Sequence, residues 1–334
     1  MKLLATAMLV LLASTAGAAP GVYSGSAVER AATGASAKAA LQAMAARGDA
    51  GGGAGIAAEA RRRIAAAADD APLAARILHG ALMMLASHPP DDESRALVAA
   101  ARASAPVVYV SLDEAGHERV VPAWDPAAAA RYVERRWAEN AAREATLRSL
   151  ASRGDAGNWL TAPEPARRGV LEALEIAPAA QVAGILPSVE AALAAGVAAG
   201  EAALIVAARN GEADLFARAL RVAPGSAALD ALAVRLPAFP AAARIAVLAS
   251  LLDHAGLASA ALLALGREAA TEPAAERTLW SRLADPALGA SAALAISRLE
   301  SSGTEARLEA LVRDRPDSEA ARWARLALTL RSAQ

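Results

Sequence analysis

Four histidines and one short charged stretch hold the side chains of this chain that are best suited to chemistry. The histidines are His79, His88, His117 and His254, and there is no cysteine. None stands in an H-E-x-x-H helix, the spacing that puts two imidazoles on one face for zinc. His254, in Leu251-Leu252-Asp253-His254-Ala255-Gly256, precedes a glycine at an expected helix end. An imidazole there suits the negative end of the helix dipole, which is a structural role. His79 lies inside an apolar helical pattern and reads as a partly buried packing residue. His117 keeps company with Asp113, Glu114 and Glu118, the densest titratable group near a turn. Acid–base or metal chemistry would need these groups rigid and shielded from water, and a solvated turn is the default reading. The sequence therefore assigns no catalytic residue, no metal and no cofactor, and the chain reads as a non-enzyme.

Other motifs point the same way. No glycine-rich phosphate loop, G-x-S-x-G elbow or S-x-x-K pattern occurs. Arg-Gly-Asp appears at Arg47 and again at Arg153, each time read as an exposed polar turn after a helix. Arg61, Arg62 and Arg63 read as a solvated helix face, because no aromatic residues interleave with them. One cluster stands out. Trp124, Tyr132, Arg135, Arg136 and Trp137 gather aromatic and arginine side chains, the types enriched in binding hot spots, in a chain poor in aromatics. These five are the candidate binding residues, although Trp137 also fits a core stripe.

The elements that must position them follow from local patterning. Val108, Val110 and Leu112 alternate with Tyr109 and Ser111, the period of a half-buried strand. Gly116 suits the turn, and Arg119 to Trp124 returns as a second strand, marked as an edge by Pro122. A lone hairpin is marginal in water, so this one must rest on helices. It is expected to be a structural cover at the junction of two helical halves. Asp125 and Pro126 then start a helix as cap and first residue, running to about Ser152. Ala130, Val133, Trp137, Ala141 and Leu147 form its buried stripe, with Glu144 falling among them. Arg135, Glu139 and Arg143 make an i, i+4 ladder expected to face solvent. Upstream, helices are expected over 56–68, 72–86 and from the Asp91–Asp92 cap to Ala103.

Composition bounds the setting. Lys2, an apolar run from Leu3 to about Ala13, and Ala16-Gly17-Ala18 have the order of a secretory leader cleaved after Ala18. No other segment reads as a membrane span, so the expected location is periplasmic or secreted. The whole-chain formal charge is −1, and subtracting Lys2 makes it −2, a balance that implies neither nucleic acid nor an anionic membrane. Phenylalanine, tyrosine and tryptophan total ten among 334 residues, which favours a thin stack of alanine- and leucine-packed helices over a thick core.

Repetition supports the thin stack. The tripeptide Ala-Ala-Leu opens helical runs at Ala202, Ala227, Ala260 and Ala292. Residues 258–265 (ASAALLAL) and 290–297 (ASAALAIS) are near copies. Thr271 or Glu272 with Pro273, Asp285-Pro286, Thr304, and Pro316-Asp317 mark successive helix starts, so each unit is two short helices. With 285–299 (DPALGASAALAISRL) and 314–330 (DRPDSEAARWARLALTL), the segment from about Pro163 to Leu330 resembles HEAT-like repeats, the helix-pair solenoid family. The resemblance implies a right-handed helix-pair solenoid that presents a face to partners.

The expected organisation is an all-α protein with one hairpin insert. It comprises a leader (1–18), a flexible Gly/Ser/Ala-rich segment with a short helix (19–55), a helical region (56–104) and the hairpin (105–125). A long connecting helix (126–160) leads into HEAT-like repeats (161–334). The expected function is a scaffold that binds another envelope protein. The alternative is an enzyme or small-ligand binder with a pocket between the N-terminal helices and the solenoid.

Overall fold

In the computed structural model residues 20–114, 117–153, 162–197, 199–301 and 303–333 are described. The expected leader, the tip of the hairpin turn and the Gly-Asp of the second Arg-Gly-Asp lie outside them. The chain divides into two units, Met1–Ala141 and Ala142–Gln334.

The first unit begins with strand β1 (Gly21–Tyr23), followed by helices α1 (Gly25–Thr33) and α2 (Ala35–Ala66). The short helix expected within 19–55 is present as part of α2, where Ala37, Ala40 and Met44 are buried, and the stretches on either side of it, expected to be flexible, are strand and helix as well. The segment's small residues serve close packing, not chain freedom. Helix α3 (Ala71–Leu85) crosses α2 so tightly that a Cβ on Gly80 would lie 2.2 Å from the Leu41 side chain. The first Arg-Gly-Asp, expected as an exposed turn, is likewise helical, and Gly48 is buried against Ile56 and His88. Two aspartates start the next helices as their sequence positions suggest. Asp70 accepts from the Leu73 amide at 3.0 Å, and Asp91 forms a reciprocal capping box with Ser94 at the start of α4 (Asp92–Arg102).

Strands β2 (Val108–Glu114) and β3 (His117–Pro122) form the expected antiparallel hairpin. The sheet has a third member. β1 pairs parallel to β2, with Gly21 opposite Val108, so the order is β1-β2-β3 and Pro122 sits on an edge strand. Three residues without alternation carry no strand signal, which is why β1 is invisible to patterning. Val108 is fully buried, and β2 lies against α1 and α3, so the hairpin rests on helices. Helix α5 (Pro126–Arg153) follows, with Asp125 accepting the Ala128 amide at 2.9 Å. The helix is described to Arg153, in line with its expected run to about Ser152, and 154–160 of the expected connecting segment lie outside the described residues.

The second unit is built from short helices: α6 (Ala166–Ile176), α7 (Ala179–Gly184), α8 (Leu186–Ala194), α9 (Gly200–Asn210), α10 (Ala213–Val222), α11 (Gly225–Val234), α12 (Ala241–Ser250), α13 (Ala258–Glu268), α14 (Pro273–Arg282), α15 (Gly289–Ser297), α16 (Thr304–Asp314) and α17 (Glu319–Ser332). From α9 onward they alternate between two rows. Helices α9, α11, α13, α15 and α17 each touch the next, while α10, α12 and α14 do the same beside them. Of the six Ala-Ala-Leu tripeptides, those starting at Ala202, Ala227, Ala260 and Ala292 fall one to a helix in α9, α11, α13 and α15, so these copies trace one row of the array, while those at Ala39 and Ala191 lie in α2 and α8. Ser291 Oγ donates to Ser259 Oγ at 3.0 Å, joining equivalent positions 32 residues apart.

Small side chains let the rows close up. A Cβ on Gly266 would meet Ala295 at 3.0 Å, and one on Gly289 would meet the Trp323 ring at 2.2 Å. Arginines satisfy helix ends left without intrahelical partners. Arg209 donates to the Leu174 carbonyl at 2.6 Å, Arg221 to that of Ser250 at 2.8 Å, and Arg331 to those of Ser297 and Leu299 at 3.0 and 2.6 Å. One expected cap differs. Thr304 is the first residue of α16 instead of its cap, buried with its hydroxyl 2.6 Å from Ser301 Oγ.

Candidate functional site

The five residues singled out around the start of α5 take different roles. Trp137 is only 8% exposed, and its indole N–H donates to the Leu85 carbonyl at 2.8 Å. Leu85 ends α3, and the indole is a second donor to its carbonyl beside the His88 amide of the following turn at 3.1 Å. Asn140, one turn on, donates to the Ala86 carbonyl at 3.3 Å. Trp137 thus belongs to the core and to the end of α3, the competing role its stripe position suggested.

Tyr132 and Arg135 stay at the surface. Tyr132 is 38% exposed, and the Arg135 guanidinium stands 5.3 Å above its ring centroid, within cation–π range. Arg136 Nη1 donates to Glu139 Oε2 at 2.6 Å, and Arg135 Nε lies 3.7 Å from the other carboxylate oxygen. Trp124 is half-buried just before the Asp125 cap. The structure therefore joins Tyr132, Arg135 and Arg136 through Glu139 and sends Trp137 inward.

Glu139 corrects the expected solvent ladder, because it is buried. An i, i+4 spacing shows that charges can meet, not which side they face. Arg135 and Arg136 reach the carboxylate along their own stems and keep part of the guanidinium in water. Arg143 does not join them; it lies 3.5 Å from Glu172. Ala141 and Glu144, both placed in the buried stripe by spacing, are exposed, and Glu144 pairs with Arg148 at 3.8 Å.

A second buried carboxylate was missed. Glu59 is 6% exposed and accepts from Arg62 Nε at 2.9 Å, from Arg62 Nη2, and from Arg63 Nε at 2.8 Å. Those bonds, Arg62's first and then Arg63's, lower its pKa to about 2 against the opposing effect of burial. The triple arginine is accordingly not a free face. Arg62 and Arg63 hold Glu59, and Arg61 pairs with Glu93 of α4. The signal was available as Glu59-x-x-Arg62-Arg63, an acid followed by bases at both helical spacings.

The histidines act structurally where the structure describes a role. His88 Nδ1 lies 3.0 Å from the Met84 carbonyl at the end of α3. His79 is half-buried on α3, and burial, then the nearby Arg76, lowers its pKa. His254 sits past the end of α12, with its carbonyl accepting the amides of Leu257 and Ala258. Asp113, His117 and Glu118 are exposed on the hairpin, where Ser111 donates to Glu118 at 2.7 Å. Exposure deprives these groups of the shielding that acid–base work at a turn requires. No group of three or more His, Asp or Glu residues is placed to hold a metal ion among the described residues. No helix among them is long and apolar enough to cross a membrane.

The second unit contributes a different surface feature. Ile176 ends α6 and Val234 ends α11, 64% and 66% exposed, and the residues beside them, Glu175 and Arg235, form an ion pair. That pair links the two helix ends.

The chain matches no family model, no curated protein and no solved structure. Fold alone defines its class: a mostly helical protein whose second unit is an array of tightly packed helix pairs, with a small open sheet near the N-terminus.

Proposed function

We propose that this chain is an exported, non-catalytic docking module whose second unit is a right-handed, HEAT-like solenoid. The observation that carries the reading is the two-row helix array, in which one row repeats Ala-Ala-Leu and is tied at the repeat spacing by Ser259 and Ser291. Such arrays add contact surface by stacking units, and their common use is to hold partners along an extended face. Fold analogy supplies that step. Two surface features agree with it. Ile176 and Val234 hold aliphatic side chains in water at paired helix ends, and Tyr132 carries Arg135 over an exposed ring. The partner is another protein of the cell envelope.

The test is crosslinked capture from envelope extract with the tagged chain, alongside Ile176→Asp/Val234→Asp and Tyr132→Ala/Arg135→Ala variants. Ile176, Val234 and Tyr132 are exposed, where substitutions change stability by about 0.5 kcal/mol. Because Arg135 also pairs with the buried Glu139, the unfolding midpoint is measured for each variant, so lost capture at an unchanged midpoint reports lost contact. One protein retained by the parent chain and released by either variant supports the docking role. Retention of nothing, or equal retention by all three chains, removes it. Fractionation of producing cells tests export directly, with recovery only in the cytoplasm as the contrary result.

A further inference from the structure

We infer that α2 is a locked helix corner and that the Asp91 carboxylate is its latch, capping α4 and the second half of α2 together. The corner lies at Gly51 and Gly52, whose dihedrals leave the helical range; Gly52 has φ +59° and ψ −147°. Positive φ with that ψ is open to glycine and strained for other residues. Beyond it the chain turns back. In a straight helix, residues eight apart are about 12 Å apart along the axis. Here a Cβ on Gly55 would lie 2.3 Å from the Arg47 carbonyl oxygen, and one on Gly48 would touch the Ile56 side chain at 3.0 Å. The two halves of α2 therefore cross at their glycines, and residues 47–55 form a tight corner.

A helix that restarts after glycine has no capping side chain of its own. Its first amides lack intrahelical acceptors, and Gly52 offers no oxygen to replace them. Asp91 supplies one from elsewhere in the chain. Its carboxylate accepts the Ser94 amide at 2.8 Å, and, against the raising effect of burial, the nearby backbone amides of Ser94, Ala54 and Glu93 lower its pKa. Ser94 is fully buried, and its Oγ accepts the Asp91 amide in return at 2.9 Å. The fit leaves no space: a Cβ on Gly53 would lie 2.8 Å from Asp91 Oδ2 and 3.2 Å from Ser94. One carboxylate thus sits at the positive ends of two helices, where the dipoles favour it. Releasing it opens the joint between the halves of α2 while the rest of the unit stays folded.

The test is amide hydrogen exchange on the full chain. Removing an N-cap oxygen costs about 1 kcal/mol, so Asp91→Ala speeds exchange about fivefold at each helix start it caps. Acceleration is expected at 53–56 and 92–95 together, and Asp91→Asn, which keeps a capping oxygen, restores both. Acceleration confined to 92–95 overturns the shared latch. Should Asp91→Ala fail to fold, Gly53→Ala decides the matter. Its Cβ meets both the carboxylate and Ser94, so 53–56 and 92–95 exchange faster together. Alanine is otherwise the better helix former. Unchanged or slower exchange at 53–56 then rejects the latch.

Discussion

Replacing Glu59 by glutamine removes the charge at the centre of a three-residue cluster and nearly preserves its volume. The carboxyl pKa falls from 4.5 to about 2 in the folded chain, a drop of 2.5 units. At roughly 1.36 kcal/mol per unit, the upper bound on the linked stability is about 3.4 kcal/mol. Arg62 is 63% exposed, so water screens part of that interaction, and ~1–2 kcal/mol is the expected loss at neutral pH. The folded pKa is depressed, so this stabilisation is fully present above the unfolded value of 4.5 and is lost as pH falls through about 2. Hydrogen exchange of the α2 amides around 56–64 reads it locally. At pH 7 the variant should exchange about 5- to 30-fold faster than the parent chain. At pH 3 the free-energy difference should shrink to about two-fifths of its neutral value. Equal exchange at pH 7, or an undiminished difference at pH 3, would refute the assignment of Glu59 as a charge stabilised by Arg62 and Arg63.

Other substitutions test the packing. Gly289→Val forces a branched side chain into Trp323 and should cost about 1–3 kcal/mol, seen as faster exchange in α15 and α17; Trp323→Ala in the same chain should recover part of the loss. Arg331→Gln removes donors to the Ser297 and Leu299 carbonyls, and exchange at the end of α15 should rise by about 1–2 kcal/mol equivalent, with α13 unaffected. Trp137→Phe keeps the ring but removes one of the two donors to the Leu85 carbonyl, leaving the His88 amide, at about 0.5–1.5 kcal/mol in thermal or urea unfolding. An unchanged midpoint would show that the His88 amide alone satisfies that carbonyl.

Much of the fold was legible because it rests on local rules. The Asp91 and Asp125 starts, the β2–β3 hairpin and the paired helices of 258–330 all follow from caps, alternation and spacing. The candidate site was legible only in part. Trp124, Tyr132, Arg135, Arg136 and Trp137 are near one another in sequence, but their division between core and surface depends on where α3 ends. Trp137 finds the Leu85 carbonyl across 52 residues of chain, a distance that no periodicity spans.

Composition and pattern by themselves determined that this chain folds into short helices with one hairpin and that its second half repeats. Those properties depend on residues within one or two turns of each other. Only the tertiary structure decided that glycine-rich 47–55 is a corner and not a linker, that β1 completes a sheet, and that Glu59 and Glu139 are buried. Each of these depends on a partner distant in sequence: Asp91 beside Gly53, Val108 opposite Gly21, helix α3 ending beneath Trp137. Small residues and charges are ambiguous alone, since glycine permits both freedom and close approach, and a carboxylate is stable in water or among arginines. Their neighbours in space resolve the choice.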